Sequence, residues 1–166
     1  VGGYEVFWQK MGFADEEGVE FTLLNLLPKD ATLENFTSLE GNACHMPEFE
    51  DNSFDIVFSN SVIEHVGGLE EQQSMASEVM RVGKRYFVQM PNRDFPIEPH
   101  FLFPFFHQLP YSTRLWLVQN FKLGWCDKVP ERQDAIEYLK TFQLLNPKEF
   151  TALFPGAEIY QEKFMG

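Results

Sequence analysis

The residues best equipped for chemistry lie in one run, GNACHMPEFEDNSFDIVFSNSVIEHV, Gly41–Val66. It passes from a small-residue turn through a polar loop into a strongly apolar stretch that ends on Ser59, Asn60 and Ser61. A buried strand with nothing at its end would carry branched apolar side chains there. Three small polar residues instead leave room for a ligand and offer it hydrogen bonds. His65 comes shortly after, and a histidine titrating near neutrality is the usual group for taking a proton from a hydroxyl or an amine. Asn42, Ala43 and Cys44 make a second small polar turn. Gly2 and Gly3 would let backbone approach a ligand with no side chain in the way, although an ordinary tight turn would also use them. His100 is a second candidate base, and His45 and His107 have weaker claims. For each histidine a hydrogen-bonded structural role is the alternative.

Such residues need elements that bring them together, and apolar runs alternating with helical patterns supply a mostly parallel sheet covered by helices. YEVFWQKMG reads as a short helix stopped by Gly12. Val19–Leu27 and Phe36–Ala43 read as strands, and Phe54–Asn60 as the clearest strand, apolar on both faces as a central parallel strand requires. Asp55 is expected to fix its start. Ser61 and Glu64 have the spacing of a capping box, which starts a helical turn. Leu69–Gly83 is a helix with Gln72, Ala76, Val79 and Gly83 on one stripe and Gly83 as a left-handed stop. Lys84–Asn92 is a strand ended by Pro91. Phe95–Phe121 is crowded with aromatics and prolines, and the whole of 95–142 reads as a covering insertion. Pro130–Phe142 is an amphipathic helix. Asn146–Phe154 is another, with Asn146 as cap, Pro147 in its first turn and Glu149 completing the box. AEIYQEKF reads as a last strand.

The chain of 166 residues fits a single domain, 1–166, in which 95–142 is the insertion. With 44% hydrophobic and 16% aromatic residues, it has the composition of a folded protein. A formal charge of −12, from 25 acidic against 13 basic residues, and the lack of a dense basic patch argue against nucleic acid as partner. Cys44 and Cys126 lie far apart without metal-ligand or disulfide spacing, so no metal site is expected and a reducing, cytoplasmic setting fits. No apolar run is long enough to span a bilayer. The chain opens on VGG, like the end of a strand, and closes just past a strand-like run, so the first and last strands are expected to be truncated.

These features resemble a class I S-adenosylmethionine-dependent methyltransferase of the type 11 kind. Gly41–Val66 is similar to that family's Gly-Asp-Ala turn, linker, fourth strand and trailing Glu-His. MASEVMRVGKRYFVQMPN resembles its next helix and fifth strand, and VGG the tail of its glycine-rich first motif. PNRDFPIEPHFLFPF looks like a bacterial subgroup of uncharacterised members. The resemblance implies a Rossmann-like α/β fold with helices on both faces of the sheet and an aromatic-rich helical insertion after the fifth strand. It implies S-adenosylmethionine as cofactor and methyl transfer to a small-molecule or lipid-like acceptor. Gly2 and Gly3 would border the cofactor. Asn25, with Leu26 beside it, stands where the family has an acid gripping the ribose hydroxyls, and Asn42 replaces the aspartate that accepts from the adenine amine. Ala43 and Cys44 would flank the ring, while Asn60 and Ser61 would hold the methionine portion. His65 and His100 would serve as bases, and Asn92, Arg93 and Glu98 would contact the acceptor. Amides in place of acids leave open a non-catalytic binding module of the same fold. A nicotinamide-dependent oxidoreductase ranks last, because no G-x-G-x-x-G turn is present.

Overall fold

The computed structural model describes residues 1–162. The chain divides into two compact units: Val1–Met90 with Lys140–Gln143, and Pro91–Leu139 with the segment from Leu144 onward.

The first unit begins with helix α1, Glu5–Met11, which Gly12 closes at φ 75° as its sequence position predicted. Strands β1, Phe21–Asn25, and β2, Phe36–Glu40, pair in parallel, with Phe21 opposite Phe36 and Asn25 opposite Glu40. Strands β3, Val57–Asn60, and β4, Tyr86–Gln89, form a second parallel pair with Asn60 opposite Gln89. All four are shorter than the apolar runs that predicted them. In place of one extended sheet there are two-stranded ladders. The amino-terminal residues link them: Val1 N donates to Phe58 O at 2.7 Å and Gly2 N to Leu24 O at 2.9 Å.

Packing explains why these short strands hold. Phe21 and Phe36 stack face to face at 4.3 Å, and Trp8 of α1 lies 5.0 Å from Phe21 and 5.1 Å from Phe58. Leu23, Phe36 and Ala14 form a buried cluster against which Trp8, Phe21 and Leu33 pack. Each large apolar side chain buried in this way contributes about 1.5–3 kcal/mol. Helix α2, Leu69–Val82, buries Gln72, Met75, Ala76, Val79 and Val82, a stripe of helical period.

Two local expectations are corrected. Ser61 does not cap the turn after β3: Ile63–His65 is a 3-10 turn preceded by Val62 with no side-chain cap, and the Ser61 hydroxyl bonds Asn60 Oδ1 at 3.1 Å. Ser61 sits at φ 54°, and a residue in that left-handed conformation is in the wrong geometry to cap. The capping contact belongs instead to α2, where Gly68 N donates to the Glu71 carboxylate at 2.8 Å. Gly83 is not a left-handed stop either, since its backbone is extended at φ −101°. It is glycine because a Cβ there would come within 2.7 Å of Val57 Cγ2 and 2.9 Å of Arg85 O, where the end of α2 meets the start of β3. Phe54 N donates to Val82 O and Lys84 N to Phe54 O, while Asp55 pairs with Lys84 at 2.8 Å, so the entry to β3 is tied down.

The second unit has little regular strand. Its antiparallel pair β5, Ile97–Glu98, and β6, Phe103–Pro104, closes through Leu102 at φ 47°. Helix α3, Tyr111–Asn120, comes after Pro110, and a tight turn brings Leu123 N to Cys126 O. Helix α4, Arg132–Lys140, and helix α5, Pro147–Leu153, complete it. The cap of α5 is as its sequence predicted: Asn146 Oδ1 accepts from Lys148 N and Glu149 N, and Glu149 accepts from Asn146 N. Phe101 and Phe106 stack at 4.2 Å, each 1% exposed, and Phe154 is equally buried. The prolines of 95–121 break it, as expected, into a hairpin, a 3-10 turn and α3. Residues 157–162 form no strand, and the rest of the expected last strand lies outside the described residues.

Candidate functional site

Parallel strands place their carboxyl ends on a common edge, and in open α/β sheets that edge is where ligands bind. In the first unit β1, β2 and β3 end on Asn25, Glu40 and Asn60. Gly41 N donates to Asn25 O at 3.0 Å, which sets the Asn42 turn beside the end of β1. Gly2 is bonded to Leu24 and Val1 to Phe58, so the Gly2–Gly3 turn lies between the ends of β1 and β3. The structure therefore brings Gly2, Gly3, Asn25, Asn42 and Asn60 to one edge.

The two glycines differ. At Gly2, φ 69°, a Cβ would meet Val62 Cγ2 at 2.3 Å, so glycine is a packing necessity. At Gly3 a Cβ would meet nothing within 4 Å, so that face of the turn is open. Asn25 is 8% exposed and donates its amide to Gly3 O at 2.8 Å. A carboxylate has no such hydrogen to give, so the amide serves this turn. Leu26 lies beyond the strand and is exposed.

Asn42 Oδ1 accepts from Cys44 N at 2.9 Å, a closed Asx turn that holds Ala43 buried and Cys44 half-buried. Cys44 Sγ points to Glu71 O at 3.3 Å, and burial pushes its thiol upward. The loop after it hangs on Arg81, which the sequence reading missed. Arg81 donates to Phe49 O at 2.7 Å and Met46 O at 2.8 Å, and it pairs with Glu78 and Asp51. Glu78 in turn accepts from Met46 N at 2.6 Å, and the Arg81 hydrogen bond holds its carboxyl below the usual range. An arginine near a helix end facing an acidic loop was the available signal. A shallow groove of about 460 Å³, lined by Cys44, His45, Glu70, Ser74 and Glu78 among others, shares only Cys44 with the proposed cofactor contacts.

At the end of β3, Ser61 N donates to Gln89 O, and the left-handed Ser61 turns the chain sharply away from the strand. Non-glycine residues with positive φ cost energy and cluster at functional sites. Ser59, one of the three small polar residues that close the apolar stretch, is fully buried with no hydrogen-bond partner for its hydroxyl among the described residues. His65 is exposed and its Nδ1 lies 2.8 Å from Thr141 O, with Phe142 edge-on at 5.3 Å. The carboxylate of the wholly buried Glu64 lies 4.0 Å from His65 Nε2.

The remaining candidates belong to the second unit. Asn92 Oδ1 accepts from Asp94 N, and Arg93 pairs with Glu149 at 3.1 Å. Glu98 is 2% exposed. His100 Nδ1 approaches its Oε1 at 2.7 Å, Phe101 N donates to its Oε2 at 2.6 Å, and His107 Nε2 lies 3.7 Å from Oε1. Burial acts to raise the Glu98 carboxyl, but the His100 and Phe101 hydrogen bonds and nearby His107 outweigh it and hold the group at about 2. Expected to touch an acceptor, Glu98 is engaged inside its own unit. Cys126 Sγ approaches His100 O at 3.5 Å, and burial raises both its thiol and the Tyr138 hydroxyl.

A family model described as a methyltransferase domain matches residues 13–86. Two curated proteins described as uncharacterized, from two strains of Mycobacterium tuberculosis, are each 39% identical to this chain over 73 residues. That is 43% of this chain, which spans about a quarter (25%) of the length of these curated relatives. No solved structure matches it. Residues 13–86, which hold β1 to β3, α2 and the first residue of β4, thus match the methyltransferase family that the motifs resemble. Among the described residues no helix is long and apolar enough to cross a membrane.

Proposed function

We propose that this chain binds S-adenosylmethionine at the carboxyl edge of its parallel strands and transfers the methyl group to a small-molecule or lipid-like acceptor. The methyltransferase-domain match supports the chemistry. The observation that carries the site is the convergence of an open Gly3, Asn25, Asn42 and the strained Asn60–Ser61 turn on one edge. Gly3 admits the cofactor close to the backbone, and Gly2, closed against Val62, shapes the turn that borders it. Asn25 and Leu26 face the ribose, Asn42, Ala43 and Cys44 the adenine, and Asn60 with Ser61 the methionine end. Asn42 Oδ1 already takes Cys44 N and has a second lone pair for the adenine amine.

The cofactor supplies an electrophilic methyl group, so the protein's task is alignment, exclusion of water and, for a hydroxyl or protonated amine, removal of a proton. His65 is the base closest in sequence to the binding strand. His100, oriented by Glu98, is the second, and Asn92 and Arg93 are acceptor contacts. A non-catalytic binding module is the alternative, favoured by one observation: the Asn25 amide is committed to Gly3 O where the family has a ribose-binding acid. Isothermal titration with S-adenosylhomocysteine tests the reading. Saturable binding is expected, and none at millimolar ligand would defeat it. Radiolabelled methyl transfer to any fraction of a cell extract then removes the alternative.

A further inference from the structure

Two loops of the second unit lie side by side and carry large apolar side chains outward. Trp125 sits at the tip of a tight turn whose ends, Leu123 and Cys126, are buried and bond each other's backbone at 3.0 and 2.8 Å. Trp125 N donates to His100 O at 3.1 Å, and a Cβ at Gly124 would come within 2.9 Å of Leu102 Cγ. The turn therefore rests against the loop of the β5–β6 hairpin. Trp125 is 80% exposed and Leu102 53%, so neither serves the core. Leu102 also holds φ 47°, a left-handed conformation that suits glycine and strains a leucine. Trp116 and Phe121, near the end of α3 that leads into the turn, add an exposed aromatic pair, edge to face at 5.2 Å.

Charge is placed to match. Lys122 and Asp127 flank the turn at its base, and Lys122 Nζ meets Asp127 Oδ1 at 2.8 Å. So exposed an ion pair contributes little to folding. It stands two or three residues from Trp125, about 7 Å at the rise of an extended chain. That matches the depth of about 5–10 Å to which interfacial apolar groups enter the headgroup boundary of a bilayer. We propose that this corner docks the chain on a surface of zwitterionic phospholipid, with Trp125 and Leu102 inserted and Lys122 and Asp127 level with the headgroups. The ammonium meets the lipid phosphate, and the carboxylate meets the lipid's own cationic nitrogen. A tryptophan ring suits that level, being apolar in body with one N–H to give. The chain's charge of −12 dictates the choice of neutral lipid, since an anionic surface repels it. The inference goes beyond the methyl-transfer reading and uses no residue assigned there to cofactor or acceptor.

The test is co-sedimentation of the full chain with phosphatidylcholine vesicles, without cofactor. Saturable binding is expected, with tryptophan emission shifted to the blue. Trp125→Ala is expected to weaken binding about tenfold, the scale of one large apolar side chain withdrawn from water, with the melting temperature unchanged. Leu102→Asn, which relieves the left-handed strain, is expected to weaken binding severalfold while the melting temperature holds or rises, so a loss of binding is told apart from a loss of fold. Anionic phosphatidylglycerol added to the vesicles is expected to lower affinity. Absence of binding to phosphatidylcholine overturns the proposal, as does binding that both variants leave unchanged or that anionic lipid strengthens. A concentration-dependent dimer in sedimentation velocity that Trp125→Ala disperses, with no vesicle binding, overturns it in favour of a second copy of this chain.

Discussion

In the first unit Asn42 and Ser61 are exposed at strand ends and Gly3 has open space beside it, whereas in the second Glu98 lies buried with His100, His107 and the Phe101 N–H around it. The same kinds of polar residue thus have opposite duties. In the first unit repeated parallel pairing sets the backbone and leaves Asn42 and Ser61 exposed at the strand ends. In the second, short elements cannot satisfy their own backbone, and polar side chains are spent on holding it together. The difference teaches that a histidine or carboxylate near a motif is a stronger functional candidate when regular structure has relieved it of structural work.

The sharpest way to break the comparison is to remove the aromatic core of the second unit. Phe101→Ala is expected to cost about 3–5 kcal/mol in urea unfolding, because Phe101 is 1% exposed and stacked on Phe106. A loss under about 1 kcal/mol would mean that the aromatics are not the core. Acid comes next. The Glu98 carboxyl at about 2 is depressed relative to its unfolded value of 4.5, so its stabilisation is fully present above about pH 4.5 and is lost as pH falls towards 2. This should amount to on the order of 3 kcal/mol. Glu98→Gln should flatten that acid limb, and an unchanged limb would remove Glu98 from the structural role given to it.

The first unit is probed by smaller effects. Asn25→Asp should destabilise this chain by about 1–3 kcal/mol, since it strips the donor from Gly3 O at a buried position. Equal or greater stability would show that the amide is not needed by the turn. Gly3→Val should leave the melting temperature nearly unchanged, because a Cβ meets nothing there, yet weaken S-adenosylhomocysteine binding more than tenfold, about 1.4 kcal/mol. Unchanged affinity would move the ligand away from this edge.

The cap of α5 was legible in Asn146-Pro147-Lys148-Glu149 because every atom of that device lies within four residues. The Gly12 stop was legible for the same reason. Ser61 and Glu64 have equally good capping spacing and do not cap, since the strand register and the Gln89 hydrogen bond force Ser61 into a left-handed turn. Gly83 was read as a stop when its reason lies across the fold at Val57. Arg81 gave only the signal of an arginine near a helix end beside an acidic loop, and Gln72 gave none, because their partners at Met46, Phe49 and Gln143 are distant in sequence.

What the amino-acid sequence determined by itself was the order of strands and helices, their hydrophobic faces and the small polar residues that end the strands, since periodicity and local hydrogen bonding act over a few residues. Only the tertiary structure decided which of those residues are exposed, that Gly2 is closed while Gly3 is open, and that a returning segment holds His65. Those outcomes depend on contacts between residues tens of positions apart, and close packing leaves room for only one arrangement of them.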